Sequence, residues 1–333
     1  MKKILAFILV AVLALGMAAC GAINKAPVAV LWAEGDTAVI PNSLINAMDR
    51  AMYIENIAYQ YYGAQGDQAK QTAQAEEALR AGATVLMVEL VDNAAAQSIV
   101  DLAKAKGAHV VFFACDVDAA VVSSYEKCVL VQTNAANLEY SVNLMISNFL
   151  KDNDKADRNG DGNITYCVRG ALNVHVPEAT QVDFNLVGAD LADAPDFIVT
   201  ADDKMAFTTL LALQLQDYNT DKLVTHGIPV FTVGNTVDYK SYVLEKAPED
   251  AEARKNHFEY AKHLCDLTTV KEEDLAEMIF TTINVIDTGR LTGTVLEDHD
   301  ALAGAAAAAV AAIVKGEAVA EAVIKVPYTV YGG

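Results

Sequence analysis

A nine-residue stretch near the middle of the chain has the spacing of a calcium-binding loop. It covers residues 157–165 and has oxygen-bearing side chains at its first, third, fifth and ninth positions. Glycine at the sixth position, Gly162, permits a sharp turn, and the seventh residue can contribute its carbonyl oxygen. Because Ca2+ prefers six to eight oxygen ligands, alternate residues of such a loop have to point inward. The predicted loop ligands are Asp157, Asn159, Asp161, Asn163 and Thr165.

The end of this stretch departs from the EF-hand pattern. The twelfth position, where an EF-hand has a bidentate glutamate, is Val168, and residues 164–168 have the composition of a β-strand rather than of a helix. A bound Ca2+ would therefore need a carboxylate from another part of the chain. The alternative interpretation is a polar surface turn, which Asn, Asp and Gly favour in any case.

The elements that would position this loop alternate regularly between strands and helices. Their apolar strands are separated by helices of about a dozen residues, which indicates right-handed βαβ units and parallel sheets buried on both faces. We therefore predict an α/β protein of doubly wound parallel sheets. Strands are predicted at 28–32, 59–62 (weakly), 83–90, 109–114, 128–131, 164–168, 197–199, 228–233, 294–296 and 324–330. Helices are predicted at 43–57, 68–81, 93–106, 134–150, 201–216 and 301–315.

The N-terminus has the pattern of a lipoprotein signal. Two lysines precede an apolar run at 4–15, and small residues lead to Cys20. We expect residues 1–19 to be a signal peptide, Cys20 to be acylated, and residues 20–26 to be a tether. The alternative is an ordinary signal peptide with an incidental cysteine. Acyl chains on Cys20 would anchor the protein stably to the outer face of the cell membrane or in the periplasm.

Composition narrows the class of partner. A net charge of -20 argues against nucleic acid and against binding to anionic lipid surfaces, which leaves small molecules and proteins. Four further cysteines are spread singly along the chain, so their pairing is open and a zinc site is not indicated. These are Cys115, Cys128, Cys167 and Cys265.

Several stretches together resemble the periplasmic galactose/glucose-binding protein family, in the family's order and over most of the chain. Besides the loop at 157–165 they are GDQAKQ at 66–71, LVDNAAA at 90–96, VVFF at 110–113, SYEK at 124–127, IPVF at 228–231, LTGTVL at 291–296 and VPY at 326–328. The resemblance implies two doubly wound lobes joined by three crossovers, with the ligand in a cleft between them that closes by hinge motion. The expected N-terminal lobe is 27–131 plus 299–324, and the expected C-terminal lobe is 132–298 plus 325–333.

The same resemblance proposes a partner for the calcium loop. The family's remote calcium ligand is a glutamate at the start of the strand before an Asn-Asn-Asp turn. The matching segment here begins at Asp196 and ends in Ala-Asp-Asp at 201–203. Asp196 would thus supply the carboxylate that Val168 cannot.

The family's sugar site is only partly matched. Asp36 and His175 match family ligands, whereas Asp202 and Glu297 replace family asparagines, and a family aspartate falls on Gly234 or on Asn235, of which Asn235 is the candidate ligand. One stacking aromatic becomes Ala38, the second is absent between residues 187 and 196, and the family's arginine is missing. The matched residues could also be solvated surface groups. If they line a cleft, they favour a cationic or polyhydroxylated ligand over an acid.

The leading functional hypothesis is a solute-binding lipoprotein that delivers a small polar ligand, such as galactose, glucose or a related monosaccharide, to an ABC permease. We expect a monomer with a structural Ca2+ as its cofactor. The alternative is a sensor or interaction module whose charged insertion at 247–278 contacts a receptor. No GxSxG, HExxH or phosphate-loop motif is present, so no enzymatic activity is expected.

Overall fold

The computed structural model describes residues 27–34, 43–152, 156–186, 190–214, 227–234 and 291–332, with isolated residues at 216, 218, 219, 249, 255, 285 and 286. Several predicted features therefore lie outside the described residues. These are the signal peptide with Cys20, the candidate ligands Asp36 and Asn235, Cys265, and nearly all of 247–278. Contacts divide the chain into a first unit, Met1–Gln132 with His299–Val326, and a second unit, Thr133–Asp298 with Pro327–Gly333.

The first unit contains one six-stranded sheet in the order β11-β5-β4-β3-β1-β2. Its strands are β1 (Val28–Trp32), β2 (Tyr59–Gly63), β3 (Val85–Val88), β4 (His109–Phe113), β5 (Cys128–Thr133) and β11 (Val323–Val326). Its helices are α1 (Ser43–Ile54), α2 (Gln68–Ala81), α3 (Ala96–Lys106), α4 (Ala119–Ser123) and α7 (His299–Lys315). β1 to β5 pair in parallel, as the alternation of strands and helices predicted.

Both faces of this sheet are covered by helices. On one face, side chains of β1 such as Val30 pack with Met48 of α1 and Val310 of α7. On the other face, Leu86 of β3 packs with Ala75 of α2 and with α3. Every residue of β1 and β3 is buried, which is why these strands are continuously apolar in sequence. The predicted doubly wound arrangement is confirmed.

Local capping determines where α2 begins and ends. The side chain of Asp67 accepts a hydrogen bond from the backbone N–H of Lys70 at 3.0 Å. At the other end Gly82 adopts a left-handed conformation with φ +100°. Both features are common at helix ends, and the predicted range 68–81 is confirmed.

The second unit repeats the strand order in its own six-stranded sheet, β12-β10-β9-β8-β6-β7. Its strands are β6 (Thr165–Arg169), β7 (Thr180–Gln181), β8 (Phe197–Thr200), β9 (Val230–Val233), β10 (Gly293–Glu297) and β12 (Tyr328–Gly332), and its described helices include α5 (Leu138–Asp152) and α6 (Asp203–Gln214). β6 to β10 pair in parallel, whereas β12 runs antiparallel to β10.

The connections around β7 distinguish this unit. Among the described residues of 170–196, the helical segment is a single 3-10 turn at Leu191–Asp193. Helices still cover both faces elsewhere, because α5 packs against Phe197 and Val199, and α6 packs against Ile198. The two crossovers that flank β7 are therefore loops over the residues that the structure describes.

One strand prediction is wrong, and the error concerns which sheet the residues near the C-terminus join. Residues 324–330 were expected to form a single strand, but β11 and β12 are separate strands divided at Pro327, and they belong to different sheets. Proline has no N–H to donate to a ladder and so interrupts the pairing. No helix in the described part of the chain is long and apolar enough to cross a membrane.

Candidate functional site

The loop at 157–165 is organised by its own acidic side chains. Asp157 accepts hydrogen bonds from the backbone N–H of Gly160 and of Gly162, both at 2.8 Å. Asp161 accepts one from the N–H of Asn163 at 2.7 Å and another from the side-chain amide of Asn159 at 3.1 Å. These bonds connect the side chains of the first, third and fifth positions within one turn.

Both glycines of this loop occupy a backbone conformation that disfavours other residues. Gly160 and Gly162 have φ values of +70° and +84°. A Cβ at either position would meet nothing within 4 Å, so the requirement for glycine comes from the backbone and not from crowding. The turn that the sequence predicted at Gly162 is therefore present.

Asp196 lies directly against the loop, although 38 residues separate it from Arg158. It is 2% exposed, and its carboxylate accepts hydrogen bonds from the N–H of Arg158 at 2.6 Å and from the N–H and hydroxyl of Thr165 at 2.8 and 2.9 Å. The Arg158 guanidinium donates in turn to the carbonyls of Leu191 and Ala194 at 3.1 and 2.9 Å. The carboxylate inferred from the family resemblance thus contacts both ends of the loop.

The donor set has the chemistry of a site for a hard cation. Carboxylate and amide oxygens, with a backbone carbonyl, are the ligands that Ca2+ takes in proteins. No cluster of three or more His, Cys, Asp or Glu side chains among the described residues is arranged as a metal site. An oxygen cage here would therefore have to include amide, hydroxyl or backbone oxygens, and the Asp196 carboxylate would have to keep a lone pair beyond its three hydrogen bonds.

Two predicted ligand residues of the second unit, Asp202 and Glu297, lie at the carboxyl ends of strands. Asp202 follows β8, and Glu297 is the last residue of β10. β9 lies between these two strands, so their ends are about 10 Å apart across the sheet. In open parallel sheets this edge is where ligands bind.

These residues also have structural interactions. The side chain of Asp202 accepts a hydrogen bond from the N–H of Met205 at 2.8 Å and so caps α6. The backbone N–H of His175 donates to Asn143 at 3.0 Å, and the imidazole is exposed. Glu297 is exposed and lies opposite Tyr328, whose pKa is raised by burial and by this carboxylate.

A cavity of about 590 Å3 opens at the same edge of the second sheet. It lies beside the carboxyl end of β6 and the residues that follow β7, and Met205 of α6 forms part of its wall. Arg169, Asp183, Phe184 and Asn185 contribute side chains to it. Sequence reasoning missed these residues, although Arg169 as the last residue of a parallel strand was a usable signal.

In the first unit, sequence reasoning missed Glu89. It follows β3 at the carboxyl edge of that sheet, and its side chain accepts a hydrogen bond from the N–H of Ala33 at 3.1 Å. Burial raises the pKa of this carboxyl, the Ala33 bond opposes the shift, and the nearby Glu34 adds to it. A carboxyl directly after a continuously apolar strand was the signal available in the sequence.

The chain is similar to known binding proteins in a sequence match to a family and in its fold. Residues 28–182 match a family model described as a periplasmic binding protein domain. Three similar solved structures each match over 92% of this chain. They are a solute-binding protein of an ABC transporter from Bacillus halodurans (14% identity, TM-score 0.51, 93% of its length), the binding component of the arabinose transporter from Shewanella (14%, 0.52, 91%) and a periplasmic solute-binding protein from Actinobacillus succinogenes (12%, 0.54, 96%).

These likenesses establish the fold. The chain is an α/β protein of the type I periplasmic-binding-protein fold, as predicted. These three solved structures contain bound myo-inositol, L-arabinofuranose and D-allose, respectively. The narrower assignment to galactose or glucose stays a prediction.

Proposed function

We propose that the protein is an extracytoplasmic solute-binding lipoprotein, anchored through Cys20, that delivers a small polar ligand of the monosaccharide kind to an ABC permease. The observation that carries the proposal is the pair of six-stranded sheets with the same strand order, in a fold similar to those of solute-binding proteins over 92% of the chain. The similar structures hold a cyclitol and two sugars, which supports a polyhydroxylated ligand.

Each unit offers polar candidates for holding the ligand. Among the described residues these are Glu89 in the first unit and His175, Asp202 and Glu297 in the second, and Asp36 and Asn235 are further candidates from the sequence. Buried hydroxyl groups of a sugar require paired donors and acceptors, which carboxylates and imidazole provide. The excess of carboxylates favours neutral or cationic ligands over acids.

A structural Ca2+ forms the second part of the proposal. Asp157, Asn159, Asp161, Asn163 and Thr165 would surround it, and Asp196 would complete the shell from the start of β8. The contacts of Asp196 with Arg158 and Thr165 support this assignment, because they bring a carboxylate against a loop whose own twelfth position is Val168. The ion would tie β6 to β8 and would take no part in chemistry.

A thermal-shift experiment tests ligand binding. The purified protein is screened against monosaccharides, polyols and amines, with native mass spectrometry of material from its host as a second readout. A ligand at one hundred times its Kd should stabilise the native state by about 2.7 kcal/mol. The absence of any shift and of any retained molecule would contradict transport and favour the interaction-module hypothesis.

Calcium is tested separately. At one thousand times its Kd, Ca2+ should add about 4 kcal/mol, and EDTA should reverse the gain. Asp157→Asn and Asp161→Asn should abolish the response, whereas Asp193→Asn, which changes an exposed acid outside the loop, should retain it. Equal melting temperatures with Ca2+ and with EDTA would exclude the metal.

A further inference from the structure

The cavity beside β6 exists because its neighbouring strand is short. β7 pairs with β6 only at Thr165 and Tyr166, and the last contact is the N–H of Val182 donating to the carbonyl of Tyr166 at 2.8 Å. β6 itself continues to Arg169, where it still pairs with β8. The chain after Val182 therefore leaves the sheet and opens a space beside the last residues of β6.

Two opposite charges line this space. Arg169 is half-buried, and Asp183 is exposed on the opposing segment. The guanidinium and the carboxylate make no hydrogen bond or ion pair with each other or with any other residue in the part of the chain that the structure describes. Arg169 in this position is a ready bidentate donor to an anionic group, and Asp183 is an acceptor for a cationic one.

The rest of the lining is uncharged and, apart from Asn185, consists of apolar side chains, a cysteine and a glycine. Phe184 packs partly against the core of the second unit, and Met205 reaches the cavity from α6. Burial raises the pKa of the Cys167 thiol to about 11, so it adds no charge at neutral pH. At about 590 Å3 the volume falls in the ordinary range for small-molecule sites.

We propose that this cavity forms part of the ligand site of the second unit and that it selects a small zwitterion, with the anionic group on Arg169, a protonated amine near Asp183, and the body of the ligand against Phe184 and Met205. The inference rests on the proposed solute-binding function and names its ligand class. A neutral sugar would leave both charges without a counter-charge, and a simple acid would meet the repulsion of Asp183. A zwitterion satisfies both groups at once.

Isothermal titration of the purified protein with a matched set of ligands tests the inference. Muramic acid is the zwitterionic sugar, and glucosamine, glucuronic acid and glucose are its cationic, anionic and neutral counterparts. A pool of proteinogenic amino acids serves as a second zwitterionic arm without a sugar ring. Arg169→Gln and Asp183→Asn should each weaken zwitterion binding by about tenfold or more. Arg80→Gln and Asp193→Asn, exposed charges outside the cavity, are the matched controls and should leave it unchanged.

The possible outcomes distinguish a failure of this inference from a failure of the proposed function. Binding of glucose that both cavity variants leave intact would overturn the zwitterion and keep solute binding. Binding of glucuronic acid that depends on Arg169 alone would also overturn it, in favour of an anionic ligand. If neither zwitterionic arm nor any counterpart binds, the inference fails together with solute binding itself. Melting curves of the four variants verify that each is folded.

Discussion

The two units have the same strand order but connect their strands differently. Counted along each unit, the first five strands are arranged 2-1-3-4-5 in both sheets. In the first unit, α1 lies between β1 and β2, and α2 joins β2 to β3. In the second unit, the described connections before and after β7 are loops with one 3-10 turn. The order of paired strands therefore fixes the fold, whereas the crossovers can be shortened without changing it.

The difference changes what holds each crossover in place. A helical crossover is stabilised by its apolar face, such as the buried Ala75 and Ala78 of α2, and by its caps. A loop crossover has less apolar area to bury, so its backbone groups need polar partners. In the second unit, Arg158 supplies such partners by donating to the carbonyls of Leu191 and Ala194 in the crossover after β7. Asp196 at the end of that crossover holds the backbone N–H of Arg158.

The largest expected effect is for Asp196→Ala. It would leave the N–H groups of Arg158 and Thr165 without their acceptor at a site where the side chain is 2% exposed. We expect a loss of about 3 kcal/mol in the free energy of unfolding, measured by urea denaturation in EDTA so that metal does not contribute. Asp196→Asn, which keeps one acceptor oxygen, should lose less. Equal losses for the two variants would show that the hydrogen bonds do not carry the stabilisation.

A pair of glycine substitutions sharpens the comparison. Gly170 follows β6 with φ +95°, and a Cβ there would lie 2.6 Å from the Met205 sulfur and 2.7 Å from Ala201 Cβ. Gly107 follows α3 with φ +67°, and a Cβ there would meet nothing within 4 Å. Gly107→Ala should cost about 1 kcal/mol from backbone strain alone, and Gly170→Ala about 2 kcal/mol because close contact adds to the strain.

Differential scanning calorimetry of both glycine variants measures which substitution costs more stability. The Ala201 methyl group is fixed by the backbone and cannot move aside as the flexible end of Met205 can. Equal costs at the two positions would mean that the second unit relaxes more readily than its close contacts indicate.

The helix caps provide a smaller effect that should be alike in both units. Asp67 caps α2, and Asp202 caps α6, each with one carboxylate oxygen accepting a backbone N–H. Asp67→Ala should cost about 1 kcal/mol in thermal unfolding. Asp202→Ala should cost a similar amount and should also weaken ligand binding, because Asp202 lies at the carboxyl edge of its sheet. A loss of stability without any loss of binding would assign Asp202 to the helix alone.

The accuracy of the predictions from sequence also differs between the two units. In the first unit, β1 and α2 have the predicted bounds, because continuous apolar runs and an Asp cap are local signals. In the second unit, the two-residue β7 was missed, since a pair of residues has no period. The switch of sheets at Pro327 depends on which strands pair, which hydrophobic pattern alone does not specify.

The residues of the candidate site also differ in how far the sequence could predict them. The loop at 157–165 is a contiguous motif, so its turn was predictable from spacing. The approach of Asp196 came from family resemblance and not from local pattern. Arg169 and Asp183 meet in one cavity only because β7 ends early, and Glu89 meets the N–H of Ala33 only in the folded chain. Such groups are defined by tertiary packing, and spacing along the chain carries little information about them.

The smallest expected effect concerns the pH dependence contributed by Glu89. Burial raises its pKa above the ordinary value of 4.5 in the native state. Below 4.5 the carboxyl is protonated in both states, and as pH rises through the interval up to the raised pKa the unfolded chain loses its proton first. Glu89 therefore contributes stability at low pH that is lost as pH rises.

Glu89→Gln cannot titrate, so its stability relative to the natural protein should increase across this interval. Glu76→Gln, at an exposed position of α2, should follow the natural protein. Urea denaturation from pH about 4 to about 8 measures the difference, and a constant gap between the Glu89 variant and the natural protein would show that the carboxyl is not buried against Ala33.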